Sequence, residues 1–238
     1  MVLAPAERCQ TVLQVIRSAR KRLVLSLFRC DDFRVLDELA EALQRGVQVE
    51  VLLSRRAKGW RKKLKELRKF IGSMGARVHR YADPVVRYHA KYIVADDGPA
   101  LVASLNFTRK CFTDTCDFLH LTHDAAVVRG LYRLFEADRD TSESMLPDGI
   151  SERLIVGPQR ARQQLTDLLE SARRTIWIID HKITDPTVKA LLRAKKEAGV
   201  EVEILGRKRL GAAGLASHGK MILVDRSEER RVGKECRL

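Results

Sequence analysis

The chain has 238 residues, of which 45% are apolar and 32% are charged, as expected of an ordinary globular protein of one or two domains. Its net charge of +14 favours polyanionic partners, such as nucleic acid or an anionic lipid surface. No apolar run is long enough to span a membrane, and the N-terminus lacks the regions of a signal peptide. We therefore expect a cytoplasmic protein, at most peripheral to a membrane, whose Cys9, Cys30, Cys111 and Cys116 are reduced thiols.

Helices and strands alternate along the predicted structure. RLVLSLF is predicted to be a buried strand, the apolar face that begins at Val35 predicts a helix ended by Gly46, and VQVEVLL is the next strand. Further along, TIWIID predicts another buried strand, and DHKITD a loop after it. This alternation indicates an α/β fold.

A strongly basic segment, KGWRKKLKELRKFIG, has Trp60, Leu64, Leu67 and Ile71 at helical spacing and basic residues around them. Such a helix can rest on an anionic membrane or contact a nucleic-acid backbone. It can also be a solvated helix whose apolar face lies in the domain core, and we favour this interpretation. His79, in the following strand, is interpreted as structural.

One pattern occurs twice, as HAKYIVAD and HGKMILVD. A chain of this composition would contain about 0.02 copies by chance. If each motif is a strand, its histidine and lysine lie on one face, and its aspartate falls at the strand end. The motif residues are His89, Lys91 and Asp96 in the first copy and His218, Lys220 and Asp225 in the second.

The chain also carries an internal duplication. An offset of 153 residues aligns Arg20 with Arg173, Asp32 with Asp185 and Gly46 with Gly199, and it aligns VQVEVLL with VEVEILG. The two motif histidines are only 129 residues apart, so the second copy is shorter before its motif.

The paired motifs closely resemble the HxKxxxxD motif of the phospholipase D superfamily. SLNFT matches that family's GSxN at Ser104 and Asn106, with Ala103 in place of the glycine, and Asp117 stands where the family commonly has an acidic residue. The resemblance implies two repeated α/β/α domains related by a pseudo-twofold axis, whose motifs form one active site.

The resemblance also implies the roles of these residues. His89 would attack phosphorus, His218 would serve as acid and base, and Asp117 would orient His89. Lys91, Lys220, Asn106 and Ser104 would bind the phosphate oxygens. Asp96 and Asp225 complete the motifs as structural partners rather than proton carriers. No metal and no cofactor are expected.

A second cluster contains possible zinc ligands. Cys111, Cys116, His120 and His123 have a spacing that matches no common structural zinc pattern, and we expect no metal there.

Domain boundaries follow from the repeat. We expect one phospholipase D-like domain at residues 1–147 and a second, incomplete one at 148–225. Residues 226–238 include RSEERRVGKEC, which resembles the translation of a sequencing adapter. We therefore expect this chain to be truncated after Asp225, without the rest of the second domain, and to be less stable and less active than its parent.

Three functions fit this pattern. They are hydrolysis or headgroup transfer on a phospholipid, cleavage of DNA or RNA, and binding of polyanions without catalysis. Intact histidines and lysines in both motifs disfavour the third. The low aromatic content, 5%, and Trp60 on a basic helix favour a lipid over a nucleic acid. The two-motif chain also resembles the cardiolipin synthase-like branch of the family more than its short single-motif nucleases. The resemblance thus implies a metal-independent phosphodiesterase or phosphatidyltransferase that acts on phospholipid through a phosphohistidine.

Overall fold

A computed structural model describes residues 1–81, 88–140, 146–158, 160–180, 182–206, 209–210 and 214–225. Its helices are α1 (Pro5–Ser18), α2 (Phe33–Gln44), α3 (Arg61–Ser73), α4 (Arg109–Thr113), α5 (Ala125–Asp140), α6 (Ala161–Glu170) and α7 (Pro186–Glu197). Its strands are β1 (Arg22–Leu27), β2 (Gln48–Leu53), β3 (Arg77–Arg80), β4 (Tyr92–Ala95), β5 (Ala100–Ala103), β6 (Thr115–Cys116), β7 (Leu119–Thr122), β8 (Thr175–Ile179), β9 (Glu201–Leu205), β10 (Arg209–Leu210), β11 (Leu215–Ser217) and β12 (Met221–Val224). The predicted α/β class is confirmed.

The chain divides into two compact units. The first unit contains Met1–Thr113 and Phe118–Leu154, and the second contains Asp114–Asp117 and the chain from Ile155 onward. Strand β6 therefore belongs to the second unit, although its neighbours in sequence belong to the first.

The first unit is built on a six-stranded sheet in the order β3-β2-β1-β4-β5-β7. Strands β1, β2 and β3 are parallel, whereas β4 is antiparallel to β1, β5 to β4, and β7 to β5. Every residue of β1 after Arg22 is buried, as expected for a strand covered on both faces.

The second unit repeats the centre of this arrangement. Its β8 pairs in parallel with β9 and antiparallel with β12, and a separate sheet has the order β10-β11-β6. Leu23 lies opposite Ala95 in the first unit, and Ile176 lies opposite Val224 in the second. These pairs are related by the 153- and 129-residue offsets, so the internal duplication predicted from the sequence is confirmed in strand order and register.

Helix ends are repeated as well. Asp32 caps α2 by accepting from the backbone N–H of Arg34, and Asp185 caps α7 by accepting from Thr187. Gly46 (φ +82°) and Gly199 (φ +86°) follow these helices in the left-handed region, where glycine is unstrained.

The basic helix α3 buries its apolar face. Leu64, Leu67 and Ile71 are buried, and Leu67 and Ile71 belong to the main core cluster, which confirms the favoured interpretation of this segment. Its lysines and arginines form the solvent face. Among the described residues, no helix combines the length and apolar character needed to cross a bilayer.

Candidate active site

The two motif aspartates directly follow their strands and have the same unusual backbone conformation. Asp96 has φ +45° and Asp225 has φ +43°, a region in which aspartate is tolerated better than most residues. Each carboxylate accepts three successive backbone N–H bonds of 2.7–3.0 Å from the residues that lead into the neighbouring strand. The donors are Arg20, Lys21 and Arg22 for Asp96, and Arg173, Arg174 and Thr175 for Asp225.

These hydrogen bonds favour the ionised carboxylates. The pKa of Asp225 is lowered to about 2 by the N–H groups of Thr175, Arg174 and Arg173. Burial raises the pKa of Asp96, but the three N–H donors outweigh burial, and the net change is downward. Both aspartates hold the motif strand against its neighbour, as the sequence-based interpretation expected of structural partners.

The histidine and lysine of each motif precede the strand rather than lie on it. Strand β4 begins at Tyr92, after Lys91, and β12 begins at Met221, after Lys220. Both pairs therefore lie just ahead of the strands predicted to carry them, although the side chains of the first pair do project together as expected. The backbone of Lys91 already pairs with the next strand, since its carbonyl accepts from Ala103 N–H at 2.9 Å, one residue before β4 begins.

In the first motif, the lysine bonds the histidine directly. Lys91 is 5% exposed, and its Nζ lies 3.0 Å from His89 Nδ1 and donates to the His89 carbonyl oxygen at 2.7 Å. An ammonium group can only donate, so this contact requires a lone pair on Nδ1. The exposed His89 ring packs edge-on against Phe28, with 4.4 Å between ring centres, and Lys91 Nζ lies 5.1 Å from the same ring centre.

In the second motif, a buried carboxylate orients the histidine. His218 Nδ1 lies 2.9 Å and 3.0 Å from the two carboxylate oxygens of Asp117, whose side chain is fully buried. Thr115 donates its hydroxyl to Asp117 at 2.5 Å and helps to fix the carboxylate. This arrangement assigns the proton to Nδ1 and leaves Nε2 as the working nitrogen.

The predicted pairing of Asp117 with His89 is therefore corrected, because Asp117 contacts His218. The strand pairing explains the difference. Strand β6, just before Asp117, pairs in parallel with β11, just before His218, and Gly219 N–H donates to the Cys116 carbonyl. This register puts the carboxylate beside the second-motif histidine.

The lysine of the second motif is bound differently from Lys91. Lys220 is 62% exposed and donates to Asp180 Oδ2 at 2.8 Å. Sequence reasoning missed Asp180 and Thr115. Asp180 follows β8 directly, and its place at a strand end could have suggested a role at the site.

The two residues that match GSxN lie close to Asp117 in sequence and have different environments. Ser104 Oγ accepts from Phe118 N–H at 2.8 Å, so its hydroxyl supports the backbone next to Asp117. Asn106 is buried, and its Oδ1 has no hydrogen-bond partner among the described residues. Because amide oxygen and nitrogen are interchangeable in position, this side chain retains hydrogen-bonding capacity for a ligand.

The other candidates have structural surroundings. His79 Nε2 lies 3.2 Å from Glu50, which confirms its structural interpretation. Cys9, Cys30, Cys111 and Cys116 are buried thiols that form no disulfide within the described part of the chain. Lys182 follows β8 outside any helix or strand, whereas His181 and residues 226–238 lie outside the described residues.

Comparison with known proteins identifies a family for this chain. The family model described as "Cardiolipin synthase, PLD-like domain" matches residues 12–139. No curated protein sequence matches the chain.

Solved structures share the fold. Polyphosphate kinase from Porphyromonas gingivalis is 20% identical, with a TM-score of 0.64 over 84% of this chain and 36% of that one. Phosphatidylserine synthase from Haemophilus influenzae Rd KW20 is 16% identical, with a TM-score of 0.64 over 85% of this chain and 60% of that one. Nuc from Salmonella typhimurium, a phospholipase D family member, is 19% identical, with a TM-score of 0.49 over 55% and 85% of the two chains. The present chain thus spans about a third of the kinase and 60% of the synthase.

Together, the repeated α/β unit and the duplicated histidine–lysine motif define a protein of the phospholipase D-like class. Within that class, the chain belongs to the family of cardiolipin synthase-like phospholipase D domains, whose model covers more than half of it.

Proposed function

We propose that this chain catalyses phosphodiester cleavage through a phosphohistidine, with transfer of the phosphoryl group to water or an alcohol. The contact between Asp117 and His218 supports the proposal most directly. A buried carboxylate on Nδ1 stabilises the imidazolium that forms when Nε2 takes up a proton, which is the requirement for a general acid and base.

In the proposed reaction, His89 attacks phosphorus and forms a nitrogen–phosphorus bond while the bond to the leaving oxygen breaks. His218 gives its Nε2 proton to that oxygen. It then takes a proton from water or an acceptor alcohol, whose oxygen displaces His89 and restores both histidines. These side chains supply the nucleophile, the acid and the positive charge, so the proposed steps need no metal ion.

Lys91 has two tasks in this scheme. While its ammonium donates to His89 Nδ1, a neutral imidazole carries its proton on Nε2 and cannot attack from there. A bound phosphate oxygen competes for the ammonium, which frees Nδ1 to take the proton and Nε2 to act. Lys220, Asn106 and Ser104 complete the proposed phosphate contacts.

We propose a phospholipid as the substrate. The description of the matching family, cardiolipin synthase, supports this choice. A nuclease is the alternative, and the assay separates the two. Phospholipid vesicles, single-stranded DNA and double-stranded DNA are incubated with the protein without metal. Turnover of nucleic acid alone would exclude the lipid substrate.

The roles of the histidines are tested with an activated substrate. A p-nitrophenyl phosphodiester needs little protonation of its leaving group, so His218→Ala is expected to form the phosphoenzyme, whereas His89→Ala is not. His120→Ala, at an exposed histidine of β7, is the control. A phosphoenzyme formed by His89→Ala and lost in His218→Ala would reverse the assignment, and its absence from the wild-type protein would refute the covalent mechanism.

A further inference from the structure

A row of alternating rings and cations extends from the first-motif histidine in the first unit. Phe28 contacts His89 and Lys91, and Arg29 Cζ lies 5.2 Å from the Phe28 ring centre. Arg29 Cζ is also 5.4 Å from the ring centre of Trp60, and Lys63 Nζ is 4.7 Å from that ring centre. These residues follow the carboxyl end of β1 and begin α3, at the edge where ligands bind open α/β sheets.

Arg29 is the unusual member of the row. Its Nη2 donates to the Lys58 carbonyl at 2.8 Å, but its Nε is buried without a hydrogen-bond partner in the described part of the chain. No carboxylate among the described residues pairs with Arg29. Arg22, also half-buried, pairs with Glu50 and Glu136. A guanidinium withdrawn from water normally has an anionic partner, so Arg29 is suited to an anion that comes from outside the chain.

Lys63 can reach the same anion. Its ion pair with Asp31 is long, at 3.5 Å, and both side chains are well exposed, so the pair contributes little stability and can be exchanged. The aromatic faces of Phe28 and Trp60 favour cations beside them. Trp60 is also the N-cap of α3 and makes no side-chain cap, so the positive end of the helix dipole adds to the field.

We propose that Arg29 and Lys63 form a subsite for a second phosphate of the substrate, next to the phosphodiester that His89 attacks. One phenyl ring contacts both the imidazole and the guanidinium, so the two phosphates would belong to one substrate molecule. This subsite proposal rests on the proposed function, which supplies the phosphodiester. The substrate class that fits the subsite is a phosphodiester that carries a further phosphate. A lipid headgroup and a short oligonucleotide both have this chemistry.

A membrane surface is a less suitable partner for this region. Leu64, Leu67 and Ile71 of α3 are already buried in the protein. Phe70 is 47% exposed, but it is a single apolar side chain on a face that is otherwise mainly charged.

The test compares ligands that differ by one phosphate. The full chain with His89→Ala binds without turnover, and calorimetry gives its affinity for dihexanoyl phosphatidylglycerol with and without a terminal phosphate, below the micelle concentration. The thymidine dinucleotide with and without a 5′-phosphate forms the second pair. We expect the extra phosphate to raise the affinity about tenfold in at least one pair, as one good charge-assisted contact does. The responding pair identifies the source of the phosphate.

The variants locate the effect. Arg29→Gln and Lys63→Gln should each remove most of the gain from the extra phosphate. Lys62→Gln removes the same charge from the neighbouring residue, whose side chain is 91% exposed. This control variant should keep the full increase in affinity that the extra phosphate gives. Lys63 is exposed too, so Lys63→Gln keeps the test valid if Arg29→Gln does not fold.

Two outcomes would overturn the subsite: no gain from the extra phosphate in either pair, or a gain that Lys62→Gln reduces as much as Lys63→Gln. Turnover by the wild-type chain is measured on the same ligands. If the extra phosphate raises the affinity but the wild-type chain turns over none of these ligands, the subsite is supported and the proposed function is refuted.

Discussion

At the residue scale, the contact between Asp117 and His218 is the feature with the clearest chemical consequence. The carboxylate has no access to solvent, and Thr115 and the His218 ring both direct hydrogen atoms at it. A charge buried in this way is stable only with such partners, so the imidazole and the carboxylate depend on each other.

Asp117→Asn should therefore reduce activity strongly. The amide removes the charge that stabilises the imidazolium and can hold the ring in the wrong tautomer, so we expect kcat to fall by about 10²- to 10⁴-fold. The measurement is turnover of a phosphodiester with a poor leaving group, and Asp114→Asn, at an exposed position three residues earlier, is the control. Equal activity of both variants would remove Asp117 from the mechanism.

The motif aspartates predict a dependence of stability on pH. The pKa of Asp225 is about 2 in the folded protein, against an ordinary value of 3.8. A lowered pKa stabilises the folded state above the unfolded value, and this contribution is lost as the pH falls through the folded value. The second unit should therefore lose stability between about pH 4 and pH 2.

Tryptophan fluorescence can report this loss. The chain has 2 tryptophans, and Trp177 lies on β8, which pairs with β12, the strand directly before Asp225. In a Trp60→Phe background, urea unfolding monitored at Trp177 should be acid-sensitive, and Asp225→Asn should remove part of that sensitivity. Asp167→Asn, on α6, should leave it unchanged. Identical pH profiles for Asp225→Asn and the parent would contradict the prediction.

Residue types and spacing identified the motif residues, but not all of their partners. The family resemblance implied that Asp117 would orient His89, and the structure shows that it contacts His218. Which histidine it orients depends on the parallel pairing of β6 with β11, a contact between segments about a hundred residues apart. No local pattern encodes such pairing.

At the element scale, helix α3 shows how one pattern permits several interpretations. Its apolar spacing and basic surface fit a membrane helix as well as a core helix. The tertiary structure decides between them, because Leu67 and Ile71 lie in the main core cluster, whereas Phe70 is 47% exposed.

Two alanine substitutions test this orientation. Leu67→Ala should lower the free energy of unfolding by about 2–5 kcal/mol, because it leaves a cavity in the core. Phe70→Ala should change that free energy by no more than about 0.5 kcal/mol, as surface substitutions usually do. Urea denaturation measures both. A larger loss from Phe70→Ala would mean that the opposite face of α3 is buried.

Strands and helices with clear periodicity were predictable, including β1, β2, β8 and α2 with its glycine stop. The exact start of β4 and β12 was not. Ala103 N–H donates to the Lys91 carbonyl at 2.9 Å, so backbone pairing with β5 begins one residue before β4 starts, and sequence alternation does not fix where such pairing begins.

At the scale of the whole molecule, charge is the dominant property. The chain has 45 lysine and arginine residues and 31 aspartate and glutamate residues. Ion pairs neutralise some of the basic side chains, such as Arg22 and Arg34, but the solvent face of α3 retains most of its charge. A field of this sign increases the rate at which anionic substrates reach the protein.

Salt should therefore act on substrates according to their charge. For anionic dihexanoyl phosphatidylglycerol, kcat/KM is expected to fall about tenfold between about 10 mM and 300 mM sodium chloride, because the screening length shortens across this range. For zwitterionic dihexanoyl phosphatidylcholine, it should change by less than about twofold, since the net substrate charge is zero. Both lipids are used below their micelle concentrations, so that no charged surface contributes. Equal salt slopes for the two lipids would show that the excess positive charge does not guide substrate binding.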